Sequence, residues 1–240
     1  MAEQVAIRVL TLGAWMLASP ALHAQSTLHD ELVSDGSFER HTRCPSGWTS
    51  IGKKLVILKD WEQPGQGTPD LLSRCSKNYE SKIPFNYFGY QHPFDSASYV
   101  GVMAEKNGWR EYIAQALSKP LVKDSTYRIE LLVSLADNSR WASDSVGIGL
   151  SAGAPHSNTS GALECDTLLL SNGAITDTTN WVPLRFMYKA SGTERHIVIG
   201  CFSSSNNGFV RTGRKRKPKR DWAYYYVDAV SVRMLSLGER

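Results

Sequence analysis

The segment Tyr127-Arg-Ile-Glu-Leu-Leu-Val-Ser-Leu135 places an apolar residue at every odd position. A period of two puts Tyr127, Ile129, Leu131, Val133 and Leu135 on one face of an extended strand. A second such segment, Trp181 to Tyr188, aligns Val182, Leu184, Phe186 and Tyr188. Further strand-like stretches are Leu55–Leu58, Tyr99–Ala104, Trp109–Leu117, Ser145–Leu150, His196–Phe202 and Ala223–Met234, with a first strand at Glu31–Glu39. No stretch sustains a long apolar period of 3.6, and Lys119-Pro120 soon stops any helix begun at Gln115-Ala-Leu117. About nine or ten mostly alternating strands predict an all-β chain, an antiparallel β-sandwich with jelly-roll connections. Seven Trp, ten Tyr and seven Phe agree with that, because aromatic residues suit strands.

The N-terminus reads as a secretory signal. Arg8 precedes an apolar run from Val9 to Leu17, and Ala18-Ser-Pro-Ala21-Leu-His-Ala24 supplies the small residues of a cleavage site. The expected organisation is a removed leader over residues 1–24 and one sandwich domain over 25–240, with no membrane-spanning segment. The expected location is secreted, periplasmic or cell-surface. In that setting the four cysteines, Cys44, Cys75, Cys165 and Cys201, suggest two disulfides, for which three connectivities exist. Cys44–Cys75 with Cys165–Cys201 closes the shorter loops and is the expected pairing. The spacings do not suit a zinc site.

Four long stretches carry little periodicity: Trp61–Pro93, Asp137–Asp144, Gly153–Cys165 and Ser203–Arg220. Loops of that length usually have a task. The net charge of +4 is concentrated in Arg211–Arg220, which holds seven basic residues and no acid. The basic pI is therefore local, which argues against a specific nucleic-acid-binding face. Such a run either is a solvated loop or attracts a polyanion.

Motifs for catalysis are missing. There is no Gly-x-Ser-x-Gly, His-Glu-x-x-His, P-loop or dinucleotide fingerprint. Paired carboxylates for glycoside chemistry have no fixed spacing, so a polysaccharide lyase or hydrolase stays as a third reading. Asp228 falls in phase with Tyr226, Val230 and Val232 on the last strand. If these face the core, the carboxylate must be paired or hold a metal. With Glu39 it forms a candidate calcium set, since calcium takes hard oxygen ligands. A sugar site needs flat rings and a few fixed polar groups. Loop-borne rings are Trp61, Tyr79, Phe88, Tyr90, Trp109, Trp141 and Trp222. Polar neighbours are Asp70, Gln91, Arg110, Asp137, Asn138 and Arg140.

Asp35-Gly-Ser-Phe-Glu39, Trp48 and the final Tyr225-Tyr-Val-Asp228-Ala-Val-Ser-Val232 resemble the ends of galactose-binding-like jelly rolls, which include carbohydrate-binding modules of polysaccharide-degrading enzymes. The middle resembles the N-terminal module that precedes OmpA-like domains in Bacteroidetes surface proteins. Its matching segments include Trp61-Glu-Gln-Pro64, Gly67-Thr-Pro-Asp70, Arg110-Glu-Tyr-Ile113 and Val133-Ser-Leu-Ala-Asp-Asn-Ser139. No OmpA-like sequence is present in these 240 residues, so peptidoglycan anchoring does not carry over. The resemblance implies a structural calcium between first and last strands, at Glu39 and Asp228 with Asp35 a weaker ligand. It also implies non-catalytic glycan binding at or outside the cell envelope. The alternative is a structural or adhesive surface module with a protein partner.

Overall fold

Residues 30–49, 57–203, 208–213 and 221–236 are described by a computed structural model. The expected leader, residues 55 and 56 of one expected strand, and residues 214–220 of the basic run lie outside the described residues. The strands run in chain order: β1 (Asp70–Ser73), β2 (Phe85–Asn86), β3 (Gly89–Tyr90), β4 (Ser98–Glu105), β5 (Tyr112–Ala116), β6 (Thr126–Leu135), β7 (Trp141–Ser143), β8 (Val146–Ser151), β9 (Thr167–Leu170), β10 (Val182–Lys189), β11 (His196–Cys201), β12 (Phe209–Arg211) and β13 (Trp222–Met234). Among the described residues there is no helix.

Two antiparallel sheets face each other, one ordered β1-β4-β13-β6-β10 and the other β5-β11-β8-β9. Successive long strands alternate between them, as jelly-roll connections require. The alternation of β6 decides its facing. Tyr127, Ile129, Leu131, Val133 and Leu135 point into the space between the sheets, where they meet Ile113, Ile148, Leu150, Ile197 and Ile199 of the opposite sheet. Burying one aliphatic chain of this size contributes roughly 1.5–3 kcal/mol, so a one-residue slip would forfeit the whole row. Leu184 of β10 is buried in the predicted phase, while Val182, Phe186 and Tyr188 pack partly buried against the same core.

The last strand departs from its expected phase. Ala223, Tyr225 and Val227 face the inter-sheet core, whereas Trp222, Tyr224 and Tyr226 face outward. The pairing of β13 with β6 shifts register between Asp228 and Ser231, with Ala229 at φ 51°. This bulge returns Val230 and Val232 to the core and leaves Asp228 in the outward phase of Tyr226. The expected first strand, Glu31–Glu39, is an irregular segment instead. Asp35 and Phe38 adopt φ of 54° and 60°, which strand geometry excludes. Gly36 lies so close to the bulge that a Cβ there would overlap the Val230 carbonyl oxygen.

The cysteines divide. Cys44 and Cys75 are bonded, with Cα atoms 5.7 Å apart. Cys165 and Cys201 are free thiols, which corrects the expected second disulfide. Proximity in sequence misleads here, because the two lie on opposite faces of one sheet. Cys201 shares the inter-sheet core with Ile197 and Ile199, while Cys165 packs on the outer cluster of Tyr112, Leu163, Val198 and Phe202. Burial pushes the Cys201 thiol up to about 12 and raises that of Cys165. A thiol count on unreduced protein should therefore find two groups after unfolding, with Cys201 unreactive in the native state. A count of zero would reinstate the second disulfide.

Candidate functional site

The outward face of the five-stranded sheet carries a second hydrophobic cluster, built on Leu72, Tyr99, Trp222, Tyr224 and Tyr226. The predicted long loop after Trp61 covers it. Within that loop β2 and β3 form a short hairpin turned by Tyr87 and Phe88. Asn86 is 1% exposed and explains the turn without an Asn-Gly signal. Its side-chain oxygen accepts the Phe88 and Gly89 N–H groups at 2.9 and 3.2 Å, and the Tyr226 hydroxyl at 2.9 Å. One buried amide thus closes the turn and ties it to the sheet. Phe88 then stacks on Tyr224 at 3.6 Å.

Residues alternate in a hairpin, so what faces inward fixes what faces outward. Asn86 pairs with Gly89 and Phe85 with Tyr90. Asn86 and Gly89 point at the sheet, which leaves Phe85 and Tyr90 side by side on the surface, 54% and 50% exposed. Tyr79, 47% exposed, lies 5.8 Å from Phe85 between ring centroids, and His92 lies 5.3 Å from Tyr90. The Tyr90 hydroxyl and His92 Nε2 are 2.9 Å apart. The result is a row of Tyr79, Phe85, Tyr90 and His92. Behind it Tyr87 contacts Trp48, Tyr79, Phe88 and Trp222.

Several residues named from sequence converge here, Tyr79 and Phe88 among those already placed. Tyr90 belongs to the row. Asp137 accepts the Tyr90 N–H at 2.8 Å, and the Asn138 amide donates to the Tyr87 carbonyl at 2.8 Å. Both hold the hairpin in place. Gly89 permits the seating, because a Cβ there would stand 2.7–2.8 Å from Asp137 atoms. Gly89→Ala should therefore cost about 1–3 kcal/mol and lower the melting temperature by several degrees. An unchanged melting temperature would mean that the hairpin does not rest on Asp137.

The remaining candidates serve other places. Trp61 is 2% exposed, donates its indole N–H to the Asp35 carbonyl and packs on Phe38. Trp222 is buried against Tyr87 and Phe88. Trp109 is half-buried and donates to Glu111. Trp141 donates to Asp221, and the Lys106 ammonium lies 4.2 Å over its ring, occupying the face a sugar would use. Arg110 is buried, with its guanidinium on the carbonyls of Ser203, Glu105 and Trp109 and over the Phe209 ring. Phe85, Tyr87 and His92 are not among the candidate rings and polar neighbours read from the sequence. The available signal was density, with four aromatics in the six residues from Phe85 to Tyr90.

Two groups of carboxylates bear on chemistry. Asp70 and Glu111 are 4% and 1% exposed. Asp70 accepts the Tyr224 hydroxyl at 2.9 Å and the Thr49 N–H. Glu111 takes Thr68, Trp109 and the Met103 N–H. Burial raises both carboxyl groups above their usual range, and the charge of Glu111 raises Asp70 further. Such a buried pair offers a substrate no approach. The calcium candidates are likewise committed to backbone. Asp35 accepts the N–H groups of Glu39 and Arg40, Glu39 that of Ala97, and Asp228 those of Phe94, Asp95 and Ala229. Among the described residues no three His, Cys, Asp or Glu side chains are grouped to hold a metal. The donors are of the right hard-oxygen type, but as placed they form no calcium cage. Burial pushes Asp228 up to about 7, against the pull of its three N–H donors.

No protein family and no curated protein matches this sequence. Solved structures with a similar course of strands include the CBM22-1 xylan-binding domain of Paenibacillus barcinonensis Xyn10C (14% identity, 81% of this chain and 99% of that one, TM-score 0.44). Another is the C-terminal family 22 carbohydrate binding module of Clostridium thermocellum Xyn10B (12%, 84% and 96%, TM-score 0.41). A third is the K1 cleaved adhesin domain of the Lys-gingipain of Porphyromonas gingivalis W83 (14%, 80% and 100%, TM-score 0.38). Likeness at this level says nothing of what the present chain binds.

Proposed function

We propose that this chain is a non-catalytic glycan-binding module, acting at the cell envelope or outside the cell. The observation that carries this reading is the row of three half-exposed rings, with Phe85 and Tyr90 on a hairpin pinned by buried hydrogen bonds and Tyr79 beside Phe85. Aromatic faces stack on the apolar C–H faces of pyranose rings, and a pinned row loses little entropy when a ligand settles on it. Glu80, next to Tyr79 in the chain, and the Asn138 side-chain oxygen are polar groups beside the row that a sugar hydroxyl could bond. The chemistry asked of the protein is recognition only. Export is supported by the exposed Cys44–Cys75 bond, which suits an oxidising compartment.

The test is a glycan array followed by an affinity measurement on the best ligand. Binding to a defined glycan that is lost in Tyr90→Ala, with the melting temperature kept, supports the reading. Binding to no glycan, or binding indifferent to Tyr90, overturns it and leaves the exposed rings as the contact of a protein partner. The calcium expected from sequence is decided alongside. A melting temperature raised by calcium over chelator, and not raised in Asp228→Asn, would establish it; equal values would remove it.

A further inference from the structure

Cations outnumber acids on the segments beside the ring row, although Asp137 holds the Tyr90 N–H. The two segments joined by the disulfide, 42–49 and 74–82, contain Arg43, Arg74, Lys77 and Lys82 against the single acid Glu80. The Cys44–Cys75 bond brings their Cα atoms to 5.7 Å and so ties the segment of Arg43 to that of Arg74. Arg43, Arg74 and Lys77 are exposed, and Lys82 extends its ammonium to 6.0 Å from the Tyr79 ring centroid. None of the four has a carboxylate partner among the described residues. Glu80 lies over Gly47, on the other segment.

An excess of four cations over one acid on joined segments raises the energy of the free protein, and an anion from outside relieves it. Guanidinium groups suit this task, since they grip carboxylate or sulfate oxygens with paired N–H donors. Tyr79, Arg74, Lys77 and Lys82 share the segment 74–82, the disulfide ties Arg43's segment to it, and the hairpin bearing Phe85 follows directly, so one chain can lie along Tyr79 and Phe85 while its charged substituents reach these cations. We infer that the ligand of the ring row is an anionic polysaccharide, held by Tyr79, Phe85 and Tyr90 through its sugar faces and by Arg43, Arg74, Lys77 and Lys82 through its carboxylate or sulfate groups. This inference rests on the glycan reading above and names the ligand class of that same site.

The test uses the whole mature protein and three immobilised polymers: polygalacturonate, its carboxyl-reduced neutral form, and dextran sulfate. Binding is compared at about 20 mM and about 300 mM salt, since exposed charge contacts are screened over about 8 Å or less at and above physiological ionic strength. Two variants are needed. One combines Arg43→Gln, Arg74→Gln, Lys77→Gln and Lys82→Gln; the other replaces the basic residues of 214–220 by Ser. The expected result is at least a tenfold preference for a charged polymer over the neutral one, weakened by salt. That preference should fall below about threefold in the four-site variant and persist in the 214–220 variant. A preference for dextran sulfate alone assigns sulfate as the anion, and one for polygalacturonate assigns carboxylate. Equal affinity for charged and neutral polymers overturns the inference and leaves glycan binding standing. Loss of the preference in the 214–220 variant also overturns it, by moving the anion contact to that segment. Failure to bind any polymer or array glycan removes the glycan reading itself. Unchanged binding of the neutral polymer by the four-site variant confirms that the variant is folded.

Discussion

The double variant Phe85→Ala, Tyr90→Ala is expected to bind the glycan proposed for the ring row about 100-fold more weakly than the wild type while unfolding at nearly the same temperature. Each ring is about half exposed, so its removal opens no cavity in the core. The hairpin does not depend on them. Asn86 and Phe88 on its inward side, with Asp137 holding the Tyr90 N–H, keep the backbone in place. What the variant loses is stacking area facing solvent. If each ring contributes about 1.4 kcal/mol to a bound sugar, each is a tenfold factor, and two rings on one rigid hairpin approach the product. Calorimetry or surface binding against the best array glycan gives the number. Trp141→Ala is the contrasting control and should stay within about twofold, because Lys106 already covers the ring and Asp221 holds its indole N–H. A double variant that binds like the wild type, or a Trp141 variant that fails to bind, would move the site away from the hairpin.

The positions legible in sequence were those where one local rule decides. Tyr127–Leu135 declares its face by alternation alone, and the structure buries that face. The strand identity of Trp222–Met234 was equally plain, but its phase was not. Asp228 shares a face with Tyr226 and not with Val230, because a bulge intervenes, and nothing in Val-Asp-Ala-Val announces one. Glu31–Glu39 reads as a strand by composition and is bent by its fit against that same bulge. The aromatic row was half legible. Tyr79 and Tyr90 stood among the candidates, but the hairpin that aligns them with Phe85 rests on Asn86, whose partners lie 140 residues away at Tyr226 and 13 away at Tyr99. Trp61 and Trp222 are buried, not exposed, for a related reason, since loop position does not reveal which rings a second cluster consumes. The free thiols of Cys165 and Cys201 make the same point, because nearness in sequence does not say which face of a sheet each occupies.

The folded protein should be more stable at pH 5 than at pH 8, an unusual direction that follows from where its buried carboxyl groups sit. Asp228 has its carboxyl group pushed by burial from an ordinary 3.8 to about 7, and burial raises Asp70 and Glu111 as well. A group with a raised folded value binds a proton in the native state while the unfolded chain has already released it. Its contribution is complete below about pH 4 and is lost as the pH rises through the folded value. For Asp228 alone the loss is on the order of 3 kcal/mol between pH 4 and pH 8. Asp70 and Glu111 add to it with the same sign. Glu194 acts oppositely: burial raises it, but hydrogen bonds from Tyr188 and the Ser191 N–H outweigh that and bring it to about 2. Its contribution is therefore lost only in acid below about pH 4.5, outside the window compared. Denaturant midpoints at pH 5, 6, 7 and 8 measure the slope directly. Asp228→Asn lowers stability at pH 5, since its amide oxygen can keep the Phe94 and Asp95 N–H groups or the Ala229 N–H, and its amide nitrogen cannot accept the other. It should nevertheless flatten the slope, and Glu111→Gln should flatten it further. The slope is the deciding quantity, because a merely damaged fold shifts all four midpoints together. A wild type with equal midpoints at pH 5 and pH 8 would show that these carboxyl groups are already ionised in the fold below pH 5 and would overturn this account.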